Sequence, residues 1–361
     1  MTSYTTKSAY PYPDPSDQVA DYPTIAGTLA TYLDNLPNRN RIINCQFDIW
    51  QRGTSFSNPA NGAYTADRWV FTQNGTGGTR TISQVTSTLG TLYGGMQARQ
   101  VLLMSITNAG SPAATSQTIG QRIEDVRTYA SEAVTFSAYV TNLAVAGITT
   151  ATVKAIQNFG TGGTPSTAVT TTLGTITIGS TWARVSLTGT LPSISGKTIG
   201  TNNDSYVEFQ IDVGGATGSL YLWGVQVEQG VTRTALERIG IGEEVRRCQR
   251  YFVKSYRVDI TPGTSTNDGM YSFYGVTQGG SLIVAYVPFP TSMRTAPATI
   301  TFYRQNGANN NWVYARNGAG GDFLPGTTDV GTNSFSVNTG NLGAAWTPCV
   351  IYGHWSASAE L

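Results

Sequence analysis

Charge is scarce in this chain. Only 12% of its 361 residues are Asp, Glu, Lys or Arg, and Lys+Arg 22 against Asp+Glu 21 leaves a formal net charge of +1. Such a balance provides no basic field to gather nucleic acid, and none of the acidic surplus that keeps a chain unfolded. Histidine is scarcer still: His354 is alone, flanked in its segment by Tyr352 and Trp355. A Ser–His–Asp triad would have to use it, and a single histidine among aromatics reads first as a packed residue. The three cysteines, Cys45, Cys248 and Cys349, stand too far apart for a metal-binding pair, and their odd number gives no disulfide framework, although one long-range bridge stays open. No stretch approaches the roughly 20 apolar residues that cross a bilayer. The start, "MTSYTTKSAYPYPDPSDQ", has neither the charged beginning nor the apolar run of a secretion signal. The expectation is a soluble protein made in a cytoplasm, with no membrane insertion and no nucleic-acid partner.

What the chain has in abundance is strand and turn material: 41 glycines, 19 tyrosines and many threonines. Its length predicts two folding units and a core large enough to need no metal or disulfide. Prolines in "AYPYPDPSD" rule out a helix there and predict an extended arm. In "PTIAGTLATYLDNLPNRN", Ile25, Leu29, Leu33 and Leu36 fall at helical spacing ahead of Pro37, which predicts one short amphipathic helix. From Ile42 onward strand follows strand. "EAVTFSAYVT" sets Val134, Phe136, Ala138 and Val140 on one face, and "SLYLWGVQVE" sets Tyr221, Trp223, Val225 and Val227 on one face with Leu220, Leu222 and Gln226 on the other. Gly, Asn and Ser clusters separate the strands, the pattern of a jelly-roll β-sandwich. Trp50, Trp69, Trp182 and Trp223 are expected in its core. Residues 253–361 return to strands and predict a second, smaller β-sandwich, in which "SLIVAY", apolar on both faces, should be a buried central strand or a subunit interface.

Charge collects in one place, "VQVEQGVTRTALERIGIGEEVRRCQRYF". Here Ile241, Val245, Cys248 and Phe252 predict the apolar face of a short linking helix. Glu243 and Glu244 open it and Arg246, Arg247 and Arg250 close it, an order that suits the helix dipole and allows Glu243 to pair with Arg246 or Arg247. The mixed signs argue against a phosphate-binding stripe. The segment reads as a joint between domains, held through Arg238, Glu243, Arg247 and Arg250.

Five segments, taken in order, resemble a family of bacteriophage tail-fibre-like and head-fibre-like virion proteins: "NRIINCQFDIWQRGTSF" with "YTADRWVF", "QRIEDVRTYASEAVTFSAYV", the charged joint itself, "VPFPTSMRTAPATITFY" and "HWSASAEL". The resemblance covers most of Asn40 to Leu361. It implies a virion protein that is a homo-oligomer, a trimer foremost. Its body would be a jelly roll similar to carbohydrate-binding modules, with a β tip domain beyond. On that basis 40–240 are the jelly roll, 241–253 the linking helix and 254–361 the tip; residues 1–39, ahead of the resembling part, form an arm and helix that either attach to other virion proteins or pack on their own domain.

Two kinds of chemistry compete for a site. Acid–base work needs two facing carboxylates, and the candidates Asp48, Asp67, Glu124, Asp125, Glu132, Asp212 and Glu228 show no facing pair, Glu124 and Asp125 being adjacent and divergent on a strand. A polysaccharide-degrading enzyme is therefore the weakest reading, behind a fibre protein and behind a purely structural decoration or collar protein. Binding is better served by "YRQNGANNNWVYARNG", whose Tyr303, Arg304, Asn310, Trp312, Tyr314 and Arg316 combine rings for stacking on sugars with amide and guanidinium donors. The expected ligand is a host surface glycan or protein, and the competing reading is an ordinary hairpin whose Trp312 covers the core. No cofactor is expected. The turns "TNNDS" and "STNDG" offer oxygens suited to a structural calcium, though such turns need none.

Overall fold

The computed structural model describes residues 3–4, 11–12, 23–28, 38–75, 77–93, 95–111, 113–143, 147–277, 284–308, 310–316, 319–339 and 347–361. Two six-stranded antiparallel sheets build its first part. One runs Val169–Thr177, Thr150–Asn158, Tyr206–Asp212, Ser116–Glu124, Trp69–Asn74 and Ala63–Tyr64. The other runs Ala183–Thr190, Ala133–Thr141, Gly218–Gln229, Gln100–Asn108, Thr79–Thr86 and Ser55–Ser57. Neighbours in space are seldom neighbours in sequence, and the chain is mainly β with a jelly-roll sandwich. Val134, Phe136, Ala138 and Val140 all point into the larger core, beside Trp69, Phe71 and Phe209. Trp50 and Trp223 are buried too, and Trp182 packs at the edge of a smaller cluster around Trp223.

The strand Gly218–Gln229 departs from the simple alternation. Its pairing with Ala133–Thr141 slips between Ser137 and Tyr139, and Gly224 sits there with φ 58°. Before this bulge Leu220 and Leu222 face the main core, and after it Val225 and Val227 do, while Trp223 joins the smaller cluster. One inserted residue changes which face each side chain takes. Glycine is required because an added Cβ would stand 2.9 Å from Leu236 and 3.0 Å from Tyr139.

The second part is organised by one long strand, Thr347–Ser358. Along its length it pairs with Phe252–Lys254, Tyr271–Thr277, Thr299–Tyr303 and Trp312–Arg316. A three-stranded sheet of Val284–Pro288, Ser334–Asn338 and Gly326–Thr328 accompanies it. Their shared core holds Phe302, Trp312, Phe335, Ile351 and Trp355. The expectation of a central strand at "SLIVAY" is corrected: its described end lies in an edge strand, with Ala285 and Val287 buried but Tyr286 exposed. Residues 281–283 lie outside the described residues.

Among the described residues there are two helices, 23–28 and Ile241–Gln249. The first buries Ile25; Leu29, Leu33 and Leu36 lie outside the described residues, as does most of the expected arm, of which Ser3–Tyr4 pairs with Pro11–Tyr12. The second carries its acids in the first turn and Arg246 and Arg247 in the last, but its buried face is rotated from the predicted one. Glu244 and Cys248 are buried, whereas Ile241 is exposed and Val245 half-buried. Glu244 turns inward because its carboxylate accepts the Asn44 backbone N–H, a buried bond that an apolar count does not register. All three cysteines are buried free thiols, so the bridge left open by the sequence does not form.

Candidate functional site

Where the connector and the long strand's end meet the sandwich, the seam is closed by buried charge. Arg52 donates to Asp67 and to Glu360 at 3.0 Å each, and Arg68 pairs with the other oxygen of Glu360. Arg68 also donates to the Arg122 carbonyl at 2.5 Å and lies 3.4 Å over the Tyr251 ring. Lys254 donates to the carbonyls of Gln51, Val258 and Ile260, while Gln51 donates to Phe252 O. Arg294 spends its fork on the carbonyls of Ala359, Asn203 and Glu360.

The expected joint residues divide. Arg250 grips Glu124 of the sandwich through two bonds of 2.9 Å. Arg238 reaches Gln46 and the Gln97 carbonyl. Glu243 does not cross the seam; it pairs with Arg246 in solvent, and Arg247 stands 3.9 Å from Glu244. The seam's main anchors, Arg52, Arg68, Lys254 and Glu360, are scattered over some three hundred positions and carry no local signal in sequence.

Beside this seam opens a cavity of about 460 Å³. Its floor is the end of the strand Ser116–Glu124, and its walls are Arg41, the loop through Arg127 and Tyr129, and Arg247 with Tyr251 from the connector. Adjoining recesses of about 430 and 320 Å³ share Glu124 and Arg127 on one side and Arg41 and Tyr129 on the other, so the three form one trough. Its loop is strained. Asp125, Tyr129 and Ser131 all have φ between 64° and 69°, a region that residues with side chains rarely enter. Each such residue costs roughly 1–3 kcal/mol, and such strain gathers at ligand clamps. The surroundings impose it: Val126 is fully buried, Ser131 N–H bonds to Pro192 O, and Tyr129 packs edge-on against Phe209 while its hydroxyl donates to Val227 O at 3.2 Å.

The trough's carboxylate on the seam is engaged. Burial works against the charge of Glu124, but hydrogen bonds from Arg250 and Tyr251 outweigh it and hold the carboxyl below its usual range. Burial raises the Tyr129 phenol, which therefore stays protonated as a donor. Other acids singled out in the sequence are also tied: Asp212 to Lys154 at 2.6 Å, and Glu228 to Thr234. Asp204 of "TNNDS" accepts from Thr161, and Asp268 of "STNDG" pairs with Arg257. Among the described residues no three His, Cys, Asp or Glu side chains gather as metal ligands.

The hairpin expected to bind a ligand is assembled otherwise. Trp312 is fully buried, its indole donating to His354 O at 2.7 Å, so its face is not offered to a sugar. Tyr303 is half-buried against Ser356, and Arg304 pairs with Asp322. Asn310 turns the chain with φ 67°, Tyr314 is half-buried, and the Arg316 side chain lies outside the described residues. These groups do not converge on one recess. The trough was missed because its residues come from four distant segments, although Glu124, Asp125, Arg127 and Glu132 are a conspicuous cluster in so charge-poor a chain.

His354 does lie beside a serine: Ser255 Oγ is 3.0 Å from Nδ1. Nε2 faces the Thr266 carbonyl at 3.0 Å, which can only accept, so Nε2 carries the proton and Ser255 donates to Nδ1. The ring is fully buried and stacked on Tyr256 at 3.9 Å. Burial pulls its pKa below the ordinary 6.5, against the Thr266 bond and Asp268. A histidine kept neutral in the fold adds stability above the unfolded value, and that contribution is lost as pH falls through 6.5 towards the folded value. The single imidazole should therefore titrate below 6.5 by ¹H–¹⁵N NMR, with Nε2 protonated at neutral pH; a pKa above 6.5 would contradict this network.

No family model and no curated protein matches the chain. Some solved structures are similar to part of the chain. The enzymatically active domain of tailspike protein 4 of bacteriophage CBA120 is 16% identical with TM-score 0.31, over 49% of this chain and 21% of that one. A xylan-binding domain from Paenibacillus barcinonensis is 12% identical with TM-score 0.29, over 52% and 99%. A family 11 carbohydrate-binding module of a Clostridium thermocellum cellulase is 10% identical with TM-score 0.29, over 49% and 97%.

Proposed function

We propose that this chain is a bacteriophage virion structural protein of fibre or spike type that holds a host surface glycan without cleaving it. The observation that carries the reading is the strained, polar trough of about 460 Å³ beside a seam fixed by buried ion pairs. A cavity of that size suits a short stretch of saccharide, and Gln229 and the arginines supply donors for hydroxyl groups. Its strand-built floor and stapled walls keep the shape fixed before binding, which lowers the entropy lost on capture. The resemblance in sequence adds the virion setting, a homo-oligomer, a trimer foremost; to residues 1–39, which lie outside that resemblance, we assign the mounting on the particle.

Non-cleaving capture is favoured over hydrolysis because Glu124 is held ionised by Arg250 and Tyr251, the reverse of what a general acid needs. The test is an array of bacterial surface polysaccharides probed with the full chain, followed by assay of reducing ends. Saturable retention on at least one polymer, with its length unchanged, is the expected result. Shortening of the polymer would make the chain an enzyme. Retention on none, by a chain found in the particle, would leave the cementing role of a decoration protein.

A further inference from the structure

Resting on that reading, we infer that the glycan held in the trough is acidic, with a carboxylate or phosphate group lying between Arg41 and Arg247. The argument starts from which cations in the cavity already have a counter-ion. Arg122 bonds Glu208 at 3.0 Å and Arg127 bonds Asp125 at 3.2 Å, so neither has a whole charge to offer. Arg41 and Arg247 differ. Arg41 is exposed and has no carboxylate within 4.0 Å among the described residues. Arg247, which lines the cavity, has its nearest carboxylate, Glu244, at 3.9 Å, beyond a hydrogen bond.

Glu244 is a poor counter-ion for a second reason. Its buried carboxyl is already committed to the Asn44 backbone, and burial pushes its pKa up, towards the neutral form. The connector thus presents a guanidinium whose own neighbour compensates it weakly, facing a second guanidinium across the cavity. Glu132 lines the same recess, and against it Arg41 and Arg247 together still leave a local excess of positive charge. Guanidinium forks match the planar oxygens of carboxylates and the oxygens of phosphates, and they would gain more there than from neutral hydroxyls.

The experiment measures binding of the full chain to polygalacturonate as the carboxylate probe, to a wall teichoic acid as the phosphate probe, and to carboxyl-reduced polygalacturonate as the neutral control. At least one acidic polymer should bind roughly tenfold or more tightly than the neutral one, with affinity falling as salt rises. Arg41→Gln, at an exposed position, and Arg247→Gln should each weaken acidic binding roughly tenfold. Arg246→Gln, whose side chain pairs with Glu243 outside the cavity, should leave it unchanged. Thermal melts of all three variants establish that they are folded, and Arg41→Gln stands as the deciding variant should Arg247→Gln melt early. Stronger response to one probe identifies the anion as carboxylate or phosphate. Equal binding of the neutral polymer, or indifference to Arg41→Gln, would overturn the acidic assignment while leaving glycan capture intact. Absence of binding to acidic and neutral glycans alike would remove both.

Discussion

Glu360→Ala should lower the stability of the chain by roughly 3–5 kcal/mol, the usual penalty for stranding one member of a buried ion pair. Arg68 is 1% exposed, and Glu360 is its carboxylate partner. Burial opposes the charge of Arg68, and Glu360 outweighs that and keeps the guanidinium above its ordinary value. Removing the acid leaves a cation over the Tyr251 ring with only the Arg122 carbonyl in bonding range, and it releases Arg52 from one of its two acids. The measurement is urea unfolding of the full chain. Arg127→Ala, which breaks an exposed pair, serves as the control and should shift stability by no more than about 0.5 kcal/mol. Arg68→Met combined with Glu360→Leu should recover much of the loss, since an apolar pair escapes the desolvation of both charges. A Glu360→Ala loss under about 1 kcal/mol would mean that the seam is not held by this network.

Trp312→Ala should destabilise the second β body by roughly 3–5 kcal/mol rather than remove a ligand contact selectively. The indole is fully buried, packs edge-on to Phe302 at 5.5 Å and 86°, and donates to His354 O. It occupies the space over Gly353, where an added Cβ would stand 2.1 Å from the ring. Truncation therefore leaves a cavity beside the central strand and an unpaired carbonyl. Near-UV circular dichroism and thermal melting of the variant are the readouts. An unchanged melt accompanied by lost glycan binding would restore Trp312 to a recognition role. The sequence reading of this hairpin weighed an exposed platform against a core cover, and burial decides for the cover.

The fate of the charged connector shows how far local pattern reaches. Its acids and arginines sit in the turns where the helix dipole places them, and Arg246 pairs with Glu243 as the three-residue spacing allows. Its apolar stripe named only part of the buried face: Cys248 and Phe252 are buried, Val245 is half-buried and Ile241 is exposed. Glu244 is drawn inward by a backbone N–H two hundred residues away, and such a bond leaves no periodic trace. Gly224 makes the same point for a strand. Alternation identified the strand, but one residue in left-handed conformation moved Trp223 out of the face shared by Val225 and Val227.

Alternation of apolar and polar residues, with turn residues between, was enough by itself to determine the class: pleated strands bury one face, and a chain of this composition has few other ways to do so. Scarcity of histidine and dispersal of cysteine likewise turned the expectation away from metal and nucleophile chemistry. The tertiary structure alone decided which charges meet. Arg41, Glu124, Tyr129 and Arg247 line one trough because antiparallel pairing and the packed connector bring them together across two hundred residues. Electrostatic and hydrogen-bonding partners are fixed by proximity in space, and proximity between distant segments is not written in the spacing of either one.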